Sequence, residues 1–576
     1  MHFRHNLFAL VMVTGLFWWA VLESGPLFRY GELQFLPGML ICFAALSTVR
    51  LLIRVLNGLA GLADWLGAYA PSGKSGTARW GAFKDIKREL NRRKVGPFWG
   101  RLIDRSKRPL FIDFASNAVT VAPAGSGKGI YSVVTNALSI KDTKIIPDFK
   151  GELSCILKQP LEARGETVRI LNPGGLWEEQ IGESDGYSPI DIIVDDLLRL
   201  GGLRDVPDDL RELTTQLYPE PDGKESENTY FREGSRRLIA DVILLQAMVE
   251  EYDATLSSVA LLIEDRTRLE DNLRWVAGLG LEDNPLPEGP MPIERTAWAQ
   301  KHGGSDVAEF AALVRARAGN WLKLMSNPDG RTFDSFVSGA QQALAPFAFG
   351  RLSSAMGRSS FHMDELKKGK RPVTLFIVAD SSRMESYKPY IGLMQWCAFT
   401  AIKRHENKHV PVYAILDEAT NYKINGLADL LTWGRGYGLK VHMIFQDFSA
   451  FERVYGKTAL ETLLSETEIK QFLPGQRSPK TLALIEKLLG DQSVMVASLA
   501  QNDGRDSRRE STAESARPLM KADEIRRSAR GLLIVRRCLP LLFEPISYAQ
   551  VKPWRTQAGV NPFHGKPFLR KVKLKL

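Results

Sequence analysis

The chain has 576 residues, 44% of them apolar and 25% charged, with a net charge of +10. That composition excludes disorder over most of the length and fits one large domain with accessory parts, or two to four domains. The four cysteines, Cys42, Cys155, Cys397 and Cys538, stand far apart with no CxxC pair, and the histidines show no ligand spacing. This argues against a disulfide framework and a zinc site and fits a reducing compartment. The basic balance fits an ordinary soluble surface, or contact with nucleic acid or anionic lipid.

In chain order, the first features are two apolar runs, Leu7–Leu22 and Leu33–Val49, joined by the polar loop Glu23–Glu32. Each run is close to the length that crosses ~30 Å of hydrocarbon. Trp18 and Trp19 stand where an interfacial aromatic belt is expected. A cleaved signal peptide fits less well, because Arg4 is the one firm charge ahead of the first run and a second span follows at once. Arg50, Arg54, Lys84, Lys87, Arg88 and Arg92 follow the second run, so the positive-inside rule puts both termini in the cytoplasm. The expectation is a transmembrane hairpin over residues 1–56, with spans at about 7–22 and 33–49, and a connector over 57–107.

From about residue 108 short apolar runs alternate with helical segments. Ala118–Ala122, Lys144–Pro147, Thr167–Leu171, Val373–Val378, Val412–Leu416, Val441–Phe445 and Leu532–Arg536 read as strands. Nearly continuous apolar character suggests a parallel sheet buried on both faces, and the intervening helices imply a doubly wound α/β architecture. The strand signal vanishes over 195–340, which reads as an all-α insertion between two parts of a nucleotide-binding domain, 108–194 and 341–555. Asn502–Ser515 reads as a charged surface loop, and the tail over 556–576, ending in Arg570–Lys575, as a mobile basic segment.

The sharpest motif is Ala122-Pro123-Ala124-Gly125-Ser126-Gly127-Lys128-Gly129, between a strand and a helical stretch. Glycines there let backbone N–H groups curl around phosphates at a helix N-terminus, and the lysine supplies a point charge. Ala122 stands in place of the first glycine of the usual loop, and Gly129 in place of the hydroxyl that ligates Mg²⁺. A second motif, Tyr413–Leu416 followed by Asp417-Glu418, is an apolar strand ending in two carboxylates. Asp417 can hold Mg²⁺ through water, and Glu418 can orient the attacking water, so the two motifs together point to an ATPase. Gln446 is either a polar strand end or a sensor of the γ-phosphate. Arg435, in the turn Gly434–Gly438, is either a surface arginine or a finger given to a neighbouring subunit's ATP.

These residues together resemble the type IV secretion coupling proteins, the TraG/TraD-type conjugal transfer ATPases. The resemblance runs in order through nearly the whole chain. It takes in Gly76-Thr77-Ala78-Arg79-Trp80, the Ala122–Gly129 loop with its G-K-G ending, Asp148-Phe149-Lys150-Gly151-Glu152-Leu153, Leu171-Asn172-Pro173 and Tyr187-Ser188-Pro189-Ile190. It continues through Leu416-Asp417-Glu418-Ala419, Gly434–Gly438, Phe445-Gln446-Asp447-Phe448, Tyr455-Gly456 and Arg517-Pro518-Leu519-Met520. The resemblance implies a RecA-like P-loop NTPase domain with an all-α, substrate-contacting insertion, using ATP and Mg²⁺. It also implies a homo-hexameric ring on the bacterial inner membrane. Such a ring would bring relaxase-bound single-stranded DNA, or protein effectors, to the components of a type IV secretion channel. A docking receptor for effectors and a DNA pump of the FtsK/HerA kind are the alternatives; the two-span hairpin and Asp148–Leu153 favour the coupling protein over the pump.

Overall fold

The computed structural model describes residues 72–574 apart from 221–228, 280–295, 329 and 501–508, together with Trp19 and Thr48. The two apolar runs at 7–22 and 33–49 lie outside the described residues, those two positions excepted. Among the described residues no helix is long and apolar enough to cross a membrane.

The chain divides into two units. In the first, the strands Asp491–Ala500 and Arg509–Pro518 form an antiparallel ribbon, with Asp491 opposite Pro518. Residues 72–78 run beside it: Ala78 N–H donates to the Asp491 carbonyl (2.9 Å), and Gly73 N–H donates to the Glu514 carboxylate (2.9 Å). Hydroxyls of Ser493 and Ser72 hold the Glu514 carboxyl down at about 2. The expected loop at 502–515 is therefore corrected from residue 509 onward, where the chain is strand. Its residues, Arg509 to Pro518, are charged, polar or small, with no apolar alternation, which hides the strand from a hydrophobicity search.

The second unit holds an eleven-stranded sheet. Its strands, in chain order, are β1 (Phe98–Leu102), β2 (Pro109–Phe111), β3 (Asn117–Val121), β4 (Thr143–Asp148), β5 (Thr167–Leu171), β6 (Val373–Val378), β7 (Val412–Leu416) and β8 (Leu439–Phe445). β9 (Thr467–Phe472), β10 (Gly531–Val535) and β11 (Leu541–Glu544) complete it. Across the sheet they lie in the order β2-β1-β11-β10-β9-β3-β8-β7-β4-β6-β5. The seven from β9 to β5 are parallel. The other four extend the sheet antiparallel. Every residue of β3, β4, β6 and β7 is buried, as expected of a parallel sheet covered on both faces.

Between β5 and β6, which pair side by side, the described chain is helical from Asp191–Leu198 to Arg351–Ala355. The long helices Thr229–Glu250, Gly304–Met325 and Arg331–Ala348 pack through Trp321, whose ring meets Phe333 and Phe336 edge-on. The chain enters and leaves these helices at one joint, where Ser188 N–H donates to Ser359 Oγ (2.8 Å) and Tyr187 N–H to the Ala355 carbonyl (3.1 Å).

The expectation of a mobile tail is corrected as far as residue 574. Val572 N–H donates to the Gln550 carbonyl (2.9 Å), and Leu569, Val572 and Leu574 pack on the core beside the exposed basic side chains. Basic composition masked a segment that buries one apolar face.

Candidate nucleotide site

The strand order places three chain segments together. β8 lies between β3 and β7, with Val121 opposite Phe445 and Leu416 opposite Met443. The loop after β3, Gln446 after β8 and Asp417-Glu418 after β7 thus emerge side by side at the C-terminal edge of the parallel sheet. Crevices at that edge are where open α/β sheets bind ligands.

The loop is shaped by its glycines. Ala122 N–H donates to the Phe445 carbonyl (2.9 Å), extending β3 by one residue, and Ser126 N–H turns back to the Pro123 carbonyl (3.0 Å). Gly125 and Gly127 both have φ of +78°, in the left-handed region that favours glycine. At Gly127 a Cβ would also lie 2.7 Å from the Tyr131 ring. Gly129 meets neither constraint: its φ is not positive, and a Cβ there would face open space. A helical turn begins at Gly129 and continues into the helix Val134–Ser139. Tyr131 N–H donates to the Gly127 carbonyl (2.9 Å); the first N–H groups of a helical turn otherwise have no helical carbonyl to reach, which suits them to an anion.

Lys128 extends from the loop to both carboxylates, its Nζ lying 2.8 Å from Glu418 Oε1 and 3.5 Å from Asp417 Oδ1. Asp417 is buried; burial pushes its carboxyl above the usual range, against the pull of Lys128. Glu418 takes a left-handed φ of +49°, and its N–H donates to Asp417 Oδ1 (2.8 Å). Such a φ is strained for a residue with a side chain and is typical of functional sites. It turns the two successive carboxylates toward one cation instead of to opposite faces.

The residues present fit a nucleotide with Mg²⁺. Ser126 Oγ is buried in the loop without a hydrogen-bond partner, and a phosphate oxygen would satisfy it. Asp417 and Glu418 are hard oxygen donors, the kind Mg²⁺ takes in ones and twos while keeping water and phosphate. Pro123, Ala124 and Gly125 form the outer rim of the loop, with Ala124 and Gly125 exposed.

Gln446 is exposed at the end of β8, between the loop and the carboxylates. Arg435 is not brought to this site. It is exposed in the turn Gly434–Tyr437, ahead of β8, at the opposite edge of the sheet. The seven residues of β8 separate it from Lys128 of its own chain by ~20 Å.

Residues not singled out in the sequence complete the surroundings. Asn421 Nδ2 donates to Glu418 Oε2 (2.6 Å). Tyr455 Oη donates to the Ala419 carbonyl (2.7 Å) and accepts Ile424 N–H (3.4 Å), clamping the segment that follows Glu418. Asp148, at the end of β4 beside β7, is buried, and burial raises its carboxyl to about 6 against donation from Ser154 N–H (2.8 Å) and Oγ (2.9 Å). The Asp148–Leu153 and Tyr455-Gly456 elements were the available sequence signals for Asp148 and Tyr455; Asn421 carries none, since its role depends on the turn at Glu418.

A family model described as "Type IV secretory system Conjugative DNA transfer" matches residues 82–537, well over half of the chain. Among similar proteins, the conjugal transfer protein TraG of Escherichia coli is 26% identical over 71% of this chain and 61% of its own length. The protein VirD4 of Rhizobium rhizogenes is 22% identical over 78% of this chain and 62% of its own. The chain thus spans about three fifths of the length of these two relatives. Among solved structures, the unbound bacterial conjugative coupling protein TrwB shares the fold with a TM-score of 0.52, 17% identity, and coverage of 84% of this chain and 98% of that one. The plasmid coupling protein TrwB in complex with ADP and Mg²⁺ matches with a TM-score of 0.51 and 17% identity over 84% of this chain and 99% of that one.

Proposed function

The chain belongs to the type IV secretory system conjugative DNA transfer family, and on that premise we propose that it is an ATP-hydrolysing coupling protein. In this reading it recruits single-stranded DNA with its relaxase, or protein effectors, and drives them into a type IV secretion channel at the bacterial inner membrane. The observation that carries the reading is the convergence of Lys128, Asp417 and Glu418 at the edge of three adjacent strands.

The chain's own groups divide the work as follows. The loop Ala122–Gly129 binds the phosphates through N–H groups, with Ser126 Oγ as a further donor and Lys128 as the cation on the β- and γ-phosphates. Lys128, which pairs with Asp417 and Glu418, exchanges those partners for phosphate oxygens when a nucleotide binds. Asp417 holds Mg²⁺, which when bound neutralises phosphate charge. Glu418, freed from Lys128, orients a water and accepts its proton at a carboxylate oxygen. Gln446 stands where the loss of the γ-phosphate would be felt.

Arg435, far from the nucleotide site of its own chain, acts on a neighbouring subunit's ATP in a homo-hexameric ring. The runs at 7–22 and 33–49 anchor that ring as a transmembrane hairpin. The helical insertion faces the cargo. The test is transfer from donor cells in which the native copy is replaced by Lys128→Ala or Glu418→Gln. Both variants should insert in the membrane and fail to transfer cargo; transfer at the native frequency by either would refute the reading.

A further inference from the structure

Both oxygens of the Glu418 carboxylate accept a hydrogen bond. Oε1 accepts from Lys128 Nζ (2.8 Å) and Oε2 from Asn421 Nδ2 (2.6 Å). Binding of phosphate relieves only the first of these contacts, because the phosphate loop holds Lys128 and not Asn421. Asn421 belongs to the segment that leaves the strained turn, and its own N–H donates to the Glu418 carbonyl (2.7 Å). The amide therefore tethers the side chain and the backbone of one residue. A carboxylate tethered this way has one lone pair fewer for a water, and its plane is fixed by the amide.

The same segment leads out of the site. Tyr455 clamps it at Ala419 and Ile424, and Tyr422, buried at its centre, accepts from Gln395 (3.1 Å). The next residue beyond Ile424, Asn425, donates from Nδ2 to Gln216 Oε1 (3.0 Å), on the helix Val206–Leu217 of the insertion. Three residues, Tyr422, Lys423 and Ile424, thus separate the amide that holds Glu418 from the amide that holds the insertion.

We infer that Asn421 is a positioning residue that restrains Glu418 in an unproductive, doubly hydrogen-bonded state, and that movement of the insertion through the Gln216–Asn425 contact releases it. The inference rests on the ATPase reading above and adds its regulation: cargo on the helical insertion is sensed at the general base. Asn421 touches no substrate. Its effect is on when Glu418 can work.

The test is steady-state ATP turnover by the full chain in detergent, without DNA, for native protein, Asn421→Ala and Asn421→Gln. Asn421→Ala should raise basal kcat about fivefold, the factor expected from losing one restraining hydrogen bond of about 1 kcal/mol, with KM for ATP unchanged. Asn421→Gln keeps an amide donor on a longer arm and should return kcat toward the native value. Asn425→Ala, which cuts the link and leaves Asn421 in place, should leave basal kcat unchanged and flatten its response to added single-stranded DNA. A merely structural role would lower kcat in Asn421→Ala and Asn421→Gln alike, with a lower melting midpoint. That result, or an unchanged kcat in Asn421→Ala, overturns the inference. If native protein shows no turnover at all, the ATPase reading itself has failed, so the two failures are distinct.

Discussion

Replacing Lys128 by alanine should destabilise the nucleotide-free protein as well as silence it, and the size of the effect follows from the site. The Lys128 side chain is 18% exposed and the Asp417 side chain 12%. Contacts at 2.8 and 3.5 Å correspond to a gross attraction of roughly 5–6 kcal/mol each at an effective dielectric of about 20. Desolvation of the three charged groups cancels most of it, leaving a net coupling of ~1–3 kcal/mol. The pH dependence has a definite sign. Burial already lifts the Asp417 carboxyl above its ordinary 3.8, and Lys128 pulls it back. Removing Lys128 lifts it further. A carboxyl raised on folding costs no stability while it is protonated in both states, and costs progressively more as pH rises from the unfolded value through the folded one. Urea unfolding of native protein, Lys128→Ala, Asp417→Asn and the double variant forms the cycle. At about pH 8 the cycle should show the full coupling, and at about pH 4 most of it should be gone. Equal penalties at both pH values, or additive single variants at about pH 8, would refute the electrostatic account of the trio.

Other outcomes follow from the same geometry. Glu418→Gln keeps the side-chain shape and should retain nucleotide binding, read by fluorescent-nucleotide titration, while turnover falls by about two orders of magnitude or more. Gly127→Ala places a Cβ 2.7 Å from the Tyr131 ring at a φ of +78° and should weaken nucleotide affinity at least about tenfold, whereas Gly129→Ser, with open space and ordinary φ, should leave it intact. Asp148 is raised from 3.8 to about 6, so its charge opposes folding above that value and is absent well below 3.8. Asp148→Asn should therefore raise the melting midpoint at about pH 8 and leave it unchanged at about pH 3. Mixing Arg435→Ala subunits with Lys128→Ala subunits should restore part of the turnover that each lacks alone, since each supplies what the other misses across an interface; no restoration would remove Arg435 from the chemistry.

The parts of the fold legible in the sequence are those where one physical signal dominates. β3, β6 and β7 are buried on both faces, so Val373–Val378 and Val412–Leu416 read directly as strands with their observed bounds, and Ala118–Ala122 reads as β3 displaced by one residue from Asn117–Val121. The site was legible because Lys128 and Asp417-Glu418 each follow such a strand, and β8 brings the strand ends together. The Arg509–Pro518 strand was hidden because its own residues are charged, polar or small, with no apolar alternation to mark it. The tail was hidden by its lysines, although Leu569, Val572 and Leu574 carried an apolar stripe that packs on the core. Asn421 could not be read at all. Its contact with Glu418 exists because Glu418 adopts φ of +49°, and no periodicity encodes a left-handed glutamate.

In the proposed function, Lys128, Asp417 and Glu418 form an ATP-hydrolysing site that drives nucleic-acid or protein cargo. The most direct measurement is phosphate release from ATP by the full-length protein in lipid vesicles, with and without single-stranded DNA, for the native chain and Lys128→Ala. Turnover should rise on adding DNA in the native protein and be absent from the variant under both conditions. Turnover in Lys128→Ala equal to the native rate would contradict that function.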